Sequence, residues 1–463
     1  MQFNIKNIDL ILEKDIIKKY RRQIIKWIQT KEFEENYSHF LYPPLLNPNN
    51  VDYCQISPEV SWELNLPLPP FYRFVYWGSH GCGNTAFGVF LAKYGGYNFY
   101  STNENDGRKA YISLFKDMIS KRHLLKKDKF GYLAIRNYVD GNEHEKFHFL
   151  IHSSSAINLV RDPISCLKHY IGMKRYYNKS IRRFNLTFNP KDIFKELVGY
   201  SCGNEIKKTP SLEAIESWID FRYKCFHDGQ LIQEMKNIKE TIVIDMREIV
   251  GKNSFNTMQN IARYYKLKTK FYDDGTMQEK VAEYEGILPL TLYVHPSDIK
   301  DFYYDNNLKS IDGIDIFITT HYWLPFNGFV PYETQSRFEG VVFPEKVEDI
   351  TKYILNYQHD KIIICVRKGD FKKIKKSNKL YKAIQQYIIK LIPYIEKQKD
   401  IEEKKKIHER DILEFFNKNK TLCAKFKNIL DIHLSYIKLN RPDIVGSWNY
   451  YQEFEKIYKR LHT

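Results

Sequence analysis

Residues 78–85 read GSHGCGNT and combine glycines with small polar side chains, the residue types that hold phosphate groups. The apolar run FYRFVYW precedes them and AFGVFLAKYGGY follows them, which predicts a strand, a loop and a helix in that order. Glycines allow several backbone N–H groups to turn toward one anion, and the following helix points its positive end at the same place. The stretch therefore predicts a phosphate-binding loop.

The loop matches the P-loop pattern at every fixed position except Asn84, where that pattern has lysine. Without this lysine no point charge reaches a terminal phosphate, so we do not expect ATP hydrolysis or ordinary kinase chemistry. His80 is the candidate acid–base or phosphate-polarising group, because it lies in the loop itself. A plain tight turn between a strand and a helix is the competing interpretation. The residues expected to bind the phosphates are Gly78, Ser79, Gly81, Cys82, Gly83, Asn84 and Thr85.

A second pattern, AINLVRDP at residues 156–163, predicts a buried strand followed by a helix. Arg161 follows the strand, while Asp162 and Pro163 suit the start of the helix. Because ligands of open α/β sheets bind at the carboxyl ends of strands, we expect Arg161 to hold a second anionic group. The alternative is a structural ion pair between Arg161 and a nearby acid.

These two motifs together resemble the sulfotransferase superfamily, in which the first element holds the 5′-phosphosulfate of the donor and the second holds its 3′-phosphate. The stretch ETIVIDMREIVGKNSFNTMQNIARYYKL at residues 240–267, with Glu248 as its acidic residue, resembles a later strand and helix of that family. The resemblance covers roughly residues 71–270. It implies an α/β fold with a P-loop, a parallel sheet flanked by helices, and an adenosine phosphosulfate type of donor.

The sequence departs from the sulfotransferase pattern at three places. Gly81 stands where a basic residue is usual, and His169 stands where a serine normally follows the arginine by eight residues. The catalytic histidine of the family usually ends an intermediate strand, but the equivalent stretch YLAIRNY offers Arg136 instead. Arg136 therefore joins His80 as a catalytic candidate, His152 is a lesser one, and His169 is also expected near the cofactor. A true adenosine phosphosulfate enzyme is not expected to lack all of these residues. The resemblance therefore supports the sulfotransferase scaffold more strongly than it supports a sulfate donor.

The whole chain also resembles a narrower group, the sugar transferases of bacterial surface-polysaccharide loci, which share a domain of unassigned function. Residues 287–323, ILPLTLYVHPSDIKDFYYDNNLKSIDGIDIFITTHYW, carry this resemblance. The group includes O-methyl phosphoramidate transferases that modify capsule sugars and a protein with an invasion phenotype. It implies transfer of an activated group from a nucleotide donor, CDP-linked or of the adenosine phosphosulfate type, to a sugar or polysaccharide acceptor. No metal is predicted.

The chain has 463 residues and a formal net charge of +16, which favours acidic partners such as nucleotides or anionic lipid headgroups. No RNA-recognition or helix-turn-helix pattern accompanies this charge, so a nucleic-acid partner is not expected. The seven cysteines are scattered without a CxxC pair, which favours the cytoplasm over a disulfide framework. Cys82 is interpreted as a space-filling residue, with a reactive thiolate as the alternative. No signal peptide or long apolar stretch is seen, so membrane contact would be peripheral, at the inner face.

Four consecutive segments are expected. They are a helical arm with a Pro-rich connector at 1–70, a P-loop sulfotransferase-like core at 71–270, an α/β extension or acceptor subdomain at 271–370, and a Lys-rich helical tail at 371–463. In the third segment, TLYVHP, DIFITTHYW, GVVFP and KIIICVRKGD predict strands and VEDITKYILNY predicts a helix. The tail is interpreted as a solvated amphipathic element, with membrane-surface attachment as the alternative.

These patterns favour a transferase that moves a phosphoramidate, sulfuryl or sugar group from a nucleotide donor to a sugar hydroxyl. Three alternatives stay open. They are a genuine sulfotransferase, a conventional nucleotide-sugar glycosyltransferase, and a non-catalytic invasion or virulence interaction protein on a P-loop scaffold. The glycosyltransferase is the less favoured of these on sequence, because Asp273 and Asp274 lie beside a glycine turn and form no well-placed DxD motif.

Overall fold

The structure is a computed structural model. It describes residues 14–100, 106–125, 128–135, 142–152, 154–176, 180–203, 205–222, 235, 237–267, 275–278, 280, 283–299, 312–320, 343–344 and 346–463.

Strands and helices alternate through the first half of the chain, and helices dominate its end. The strands are β1 Phe74–Gly78, β2 Gly96–Tyr100, β3 Phe130–Ile135, β4 Ser154–Val160, β5 Lys174–Tyr176, β6 Arg183–Phe184, β7 Val198–Cys202, β8 Glu205–Lys207, β9 Ile238–Asp245, β10 Leu290–Val294, β11 Ile314–Thr320, β12 Val347–Asp349 and β13 Ile362–Arg367. The α-helices are α1 Arg21–Ile28, α2 Lys31–Asn36, α3 Pro58–Glu63, α4 Asn84–Lys93, α5 Gly107–Lys121, α6 His144–Phe149, α7 Pro163–Ile171, α8 Pro190–Ile193, α9 Ala214–Arg222, α10 Asn253–Tyr264, α11 Thr351–Leu355, α12 Asp370–Lys375, α13 Asn378–Lys404, α14 Glu409–Lys418, α15 Lys420–His433, α16 Ser435–Asn440, α17 Pro442–Gly446 and α18 Asn449–His462. Short 3₁₀ turns occupy Lys18–Tyr20, Arg122–Leu124, Met246–Ile249, Thr276–Gln278 and Pro296–Asp298.

The chain divides into two compact units, each built from separated stretches of sequence. The first unit comprises Met1–Cys166, Ile219–Glu279 and Phe416–Thr463. The second comprises Leu167–Trp218 and Lys280–Phe415. Neither unit therefore corresponds to one continuous segment of the sequence.

A five-stranded parallel sheet with the order β2–β3–β1–β4–β9 forms the centre of the first unit. All residues of β1 and β3 are buried, as expected for strands of a sheet covered on both faces. Trp77 of β1 faces Ile135 of β3, and Gly78 faces Leu159 of β4. The predicted α/β fold, a parallel sheet flanked by helices, is confirmed.

The strand order creates a switch point at the carboxyl ends of β1 and β4. The next strand after β1 in the sequence, β2, lies on one side of the sheet. The next sheet strand after β4, β9, lies on the other side. The connections from these adjacent strands thus leave in opposite directions, which opens a crevice where α/β proteins bind ligands.

The core of the first unit combines the sheet with helices that precede and follow it. Tyr111, Leu114, Phe115 and Met118 share one face of α5 and pack in the same buried cluster as Trp77. The predicted N-terminal helical arm is present as α1 and α2, and residues 1–13 lie outside the described part of the chain.

The second unit contains a mixed sheet with the order β12–β13–β11–β10–β6. Its pairs are antiparallel except for the parallel pair of β6 and β10. A smaller antiparallel sheet joins β5, β7 and β8. The long helix α13 buries residues spaced three or four apart in the cluster that contains the sheet, as an amphipathic helix does. These residues are Leu380, Ile384, Tyr387, Ile388, Leu391, Ile392 and Ile395.

Three of the four predicted strands of the third segment are confirmed as β10, β11 and β13, and the fourth, GVVFP, lies mostly outside the described residues. The helix predicted for VEDITKYILNY is wrong at its start. Residues Val347–Asp349 pair with β13 as β12, and α11 begins only at Thr351. Asp349 Oδ1 accepts hydrogen bonds from the backbone N–H and the hydroxyl of Thr351, at 2.8 and 2.5 Å. This turn separates the strand from the helix, which the apolar periodicity alone does not show.

The Lys-rich C-terminal segment is helical, as predicted, but its apolar faces belong to a core. Phe416 and Phe426 have stacked rings 5.3 Å apart, and Phe454 packs edge-on against both. All three side chains are fully buried, so the prediction of a solvated tail is wrong for these helices. Among the residues that the structure describes, no helix has the length and apolarity needed to cross a membrane.

Candidate functional site

The predicted phosphate loop joins the end of β1 to the start of α4. Gly81 and Gly83 have φ angles of 89° and 96°, in the left-handed region that favours glycine. Gly83 is the N-cap residue of α4, so a left-handed residue is followed directly by helical Asn84. Such a succession turns neighbouring N–H groups into a concavity that binds anions, at the positive end of a helix.

The Asn84 side chain braces this loop from inside. Its Nδ2 donates hydrogen bonds to the carbonyl oxygens of Gly78 and Ser79 at 2.7 and 3.0 Å, and its Oδ1 accepts one from the Tyr76 hydroxyl at 2.6 Å. Both amide hydrogens are thereby used within the loop. In this conformation the donors left for a ligand are backbone N–H groups and other side chains.

Gly78 is required because neighbouring side chains approach it closely, whereas its φ angle is not in the left-handed region. A Cβ atom at Gly78 would lie 1.9 Å from Asn84 Oδ1 and 2.5 Å from the Tyr76 hydroxyl. Tyr76 has a fully buried side chain that sequence analysis did not single out. Its contact with the loop could have been inferred from its position two residues before Gly78, which places both residues on the same face of β1.

Arg161 lies directly after β4 and contacts the loop from the neighbouring strand. Its Nη1 donates a hydrogen bond of 2.8 Å to the carbonyl oxygen of Gly81. The side chain is half-buried, and within the described part of the chain it forms no ion pair with a carboxylate. The guanidinium carries five N–H donors, so most of them remain for an anion held by the loop.

Asp162 caps two helices at once. Its Oδ1 accepts the N–H of Ile164 in α7 at 2.9 Å, as predicted. Its Oδ2 accepts the N–H groups of Tyr450 and Tyr451, in the first turn of α18, at 3.2 and 3.1 Å. Burial raises the pKa of Asp162, and these backbone donors oppose the rise. Asp162 therefore fixes the chain after β4, and with it the backbone of Arg161.

C-terminal residues also fix the end of β9, the neighbour of β4. Trp448 Nε1 donates to Asp245 Oδ2 at 2.5 Å, and Arg247 forms hydrogen bonds of 3.0 and 2.9 Å with the two oxygens of Asp245. Glu248, the acidic residue of the third motif, accepts the N–H of Asp245 at 2.9 Å and completes a capping box. The carboxylates at this strand end thus serve local structure.

The remaining loop residues differ in exposure. Ser79 is 1% exposed, and its carbonyl oxygen accepts the N–H of Cys82 at 3.2 Å. The Cys82 side chain is fully buried, with its Sγ atom 3.7 Å from the Sγ atom of Cys166 in α7. His80 and Thr85 are half-buried, so part of each residue is exposed to solvent at the loop.

The remaining predicted residues lie on other elements or outside the described part of the chain. Arg136, Asp273 and Asp274 lie outside the described residues. His152 precedes β4 and donates its backbone N–H to the Tyr72 hydroxyl at 2.7 Å, so it lies at the amino edge of the sheet, opposite the loop. His169 lies in the C-terminal part of α7, in the second unit.

Lys146 of α6 is a perturbed lysine that no sequence pattern indicated. Its Nζ atom lies 4.4 Å from the centre of the Trp62 ring and 5.9 Å from that of Tyr42. Burial lowers the pKa of Lys146 to about 8. Because α6 leads into the amino end of β4, Lys146 is not part of the loop edge. Among the described residues, no group of three or more His, Cys, Asp and Glu side chains could hold a metal ion.

Comparison with known proteins finds a family-model match in the second half of the chain. Residues 243–461 match a family model described as a protein of unknown function (DUF2972). The match begins within β9 and ends in α18, so it includes Asp245 and Trp448 but neither the loop nor Arg161. No curated protein and no solved structure matches the chain.

Proposed function

We propose that the protein is a transferase whose donor is a nucleotide, held by its phosphates on residues 78–85 and by Arg161. The observation that carries the proposal is the position of Arg161. It is half-buried, 2.8 Å from the Gly81 carbonyl oxygen, and without a carboxylate partner among the described residues. A guanidinium in this position fits a bound anion, because burying an unpaired charge costs free energy that an anion offsets.

The proposed reaction transfers an activated group to a sugar hydroxyl of a bacterial surface polysaccharide. The hydroxyl oxygen attacks the phosphorus or sulfur atom in line, and the bond from that atom to the leaving phosphate oxygen breaks. Negative charge then grows on the leaving nucleotide, where the loop N–H groups and Arg161 stabilise it. His80 is the candidate base that accepts the hydroxyl proton, because it lies in the loop. The acceptor and the transferred group rest on the sequence resemblance to capsule-modifying transferases.

The structure favours a donor whose phosphates need no lysine. The Asn84 amide is committed to the carbonyl oxygens of Gly78 and Ser79, and Arg161 supplies a cation at the loop. One guanidinium and backbone amides suit a diphosphate linkage or an adenosine bisphosphate better than the terminal phosphate of a triphosphate. CDP-linked and adenosine phosphosulfate donors both meet this condition.

A thermal-shift screen tests the proposal. The full chain is incubated with cytidine, uridine and adenosine diphosphates and with adenosine 3′,5′-bisphosphate. At a ligand concentration of about 100 times Kd, binding adds about 2.7 kcal/mol, which raises Tm by roughly 3 °C for a chain of this size. Arg161→Ala should weaken binding about 10- to 100-fold through loss of charge-assisted hydrogen bonds.

The matched control is Arg263→Ala, which removes an exposed arginine of α10 with the same charge change. A shift that is lost in Arg161→Ala and kept in Arg263→Ala supports the proposal, and the base that gives it identifies the donor class. Equal shifts in both variants would mean that the net positive charge binds anions nonspecifically. No shift with any nucleotide would favour a non-catalytic interaction protein. Near-normal turnover of His80→Ala would remove His80 from the mechanism.

A further inference from the structure

Two cysteines meet at the phosphate loop although they are far apart in the sequence. Cys82 lies in the loop and Cys166 in the first half of α7, and their sulfur atoms are 3.7 Å apart. Both side chains are fully buried, and neither cysteine is part of a disulfide bond. Cys166 Sγ also lies 4.0 Å from the carbonyl oxygen of Arg161. The pair therefore joins the loop to the helix that follows the anion-binding arginine.

The loop has the freedom to bring these sulfur atoms together. A disulfide bond has a length of about 2.05 Å, so the atoms must approach by roughly 1.6 Å. Cys82 stands between Gly81 and Gly83, two residues without side chains that permit backbone rotation. Cys166 sits on a regular helix whose start is capped by Asp162. The movement is thus expected in the loop and not in α7.

We propose that Cys82 and Cys166 form a redox modification site, and that their disulfide closes the phosphate loop. The oxidant is a peroxide. One thiol reacts with hydrogen peroxide to give a sulfenic acid and water, and the second thiol then displaces a second water as the sulfur–sulfur bond forms. Two thiols and one peroxide thus yield one disulfide and two waters, with both electrons passing to the peroxide oxygens.

Oxidation would displace the backbone on which anion binding depends. Pulling Cys82 toward α7 moves Gly81 and Gly83, whose left-handed angles shape the amide concavity. The carbonyl oxygen of Gly81 moves with it and disturbs the hydrogen bond from Arg161. We therefore expect the oxidised protein to bind phosphate groups at least tenfold more weakly. This consequence rests on the proposed function, whereas formation of the bond does not.

Peptide mapping of the oxidised full chain tests the site itself. The reduced protein is treated with hydrogen peroxide, free thiols are blocked with N-ethylmaleimide, and tryptic peptides are analysed by mass spectrometry. A linked peptide pair, two hydrogens lighter than the separate peptides, should contain Cys82 and Cys166. It should vanish in Cys166→Ala and persist in Cys365→Ser, the matched variant of a buried cysteine whose pKa is raised by burial. Full oxidation of the exposed Cys54 shows that the peroxide treatment has worked. If the linked peptide of Cys82 and Cys166 is then absent, the proposal is overturned.

Binding of inorganic pyrophosphate tests the closing of the loop. The reduced protein should bind pyrophosphate, the oxidised protein at least tenfold more weakly, and dithiothreitol should restore the affinity. Cys166→Ala should bind equally before and after peroxide. Equal affinity of the two wild-type forms would refute loop closure. If reduced wild-type protein does not bind pyrophosphate, the proposed function and loop closure both fail, while the linked peptide still decides the cysteine site.

Discussion

Replacing Asn84 by alanine tests how the phosphate loop holds its shape. The substitution removes hydrogen bonds to the carbonyl oxygens of Gly78 and Ser79 and one from the Tyr76 hydroxyl. Each contributes about 0.5–1.5 kcal/mol, so their loss costs about 1.5–4.5 kcal/mol. Alanine gains roughly 0.6 kcal/mol in helix propensity at the start of α4. We expect a net loss of about 2–3 kcal/mol in the free energy of unfolding, measured by urea denaturation.

A double-mutant cycle isolates the bond between Tyr76 and Asn84. Tyr76→Phe keeps the buried ring and removes the hydroxyl, and the coupling free energy with Asn84→Ala should be about 1 kcal/mol. Asn440→Ala is the control, because its exposed amide donates to the Tyr436 carbonyl oxygen within one helix and its loss should cost under about 0.5 kcal/mol. A loss for Asn84→Ala no larger than that of Asn440→Ala, or full additivity with Tyr76→Phe, would refute the bracing role.

Three further substitutions probe the surroundings of the loop. Gly83→Ala places a Cβ atom 3.1 Å from Met246 Cγ at a φ of +96°, so it should lower the unfolding free energy by at least about 1–2 kcal/mol. The control is Gly446→Ala, whose Cβ meets nothing within 4 Å and which should be neutral or stabilising. Equal effects of the two substitutions would contradict the strain argument. Asp162→Ala leaves the backbone N–H groups of Ile164, Tyr450 and Tyr451 without their acceptor, so it should lower the unfolding free energy by about 2–4 kcal/mol in the same urea assay. No loss would mean that the cap is dispensable. The pKa of Lys146 falls from 10.5 to about 8 on folding, so the folded chain binds fewer protons than the unfolded chain between these values and stability rises with pH there. Lys146→Met should remove this rise in the unfolding free energy, which amounts to up to about 3 kcal/mol and is measured by urea unfolding at pH 7 and pH 10. An unchanged pH dependence in the variant would contradict the lowered pKa of Lys146.

The first-unit sheet was largely predictable because its signals are local. The strand–loop–helix around residues 78–85 and the strand before Arg161 follow from apolar runs, glycines and a cap within about twenty residues. The parallel arrangement of β1 and β4 then places the loop and Arg161 at one edge, as expected from the general rule for open sheets. The hydrogen bond from Arg161 to Gly81 agrees with that expectation.

Contacts between distant segments could not be predicted from one sequence. The sequence predicts Asp162 as a cap for α7, but the N–H groups of Tyr450 and Tyr451, which it also accepts, lie almost three hundred residues later in α18. The same holds for Asp245 and Trp448, and for the burial of Phe416 in the first unit. A charged amphipathic helix has the same pattern whether its apolar face meets solvent, a membrane or a core. Asn84 shows a related limit, because an asparagine side chain can either donate to a ligand or form hydrogen bonds within the loop, and the sequence does not distinguish these two roles.

Hydrogen–deuterium exchange of the full chain, with and without the nucleotide that stabilises it most, tests the central claim most directly. The account predicts that added nucleotide slows exchange in peptides covering residues 78–86 and in the peptide containing Arg161, because their amides and the chain after β4 become fixed by the phosphates. Peptides of the second-unit sheet, such as β13, should not change. Slowed exchange confined to other parts of the chain, with the loop unaffected, would contradict a phosphate site at residues 78–85.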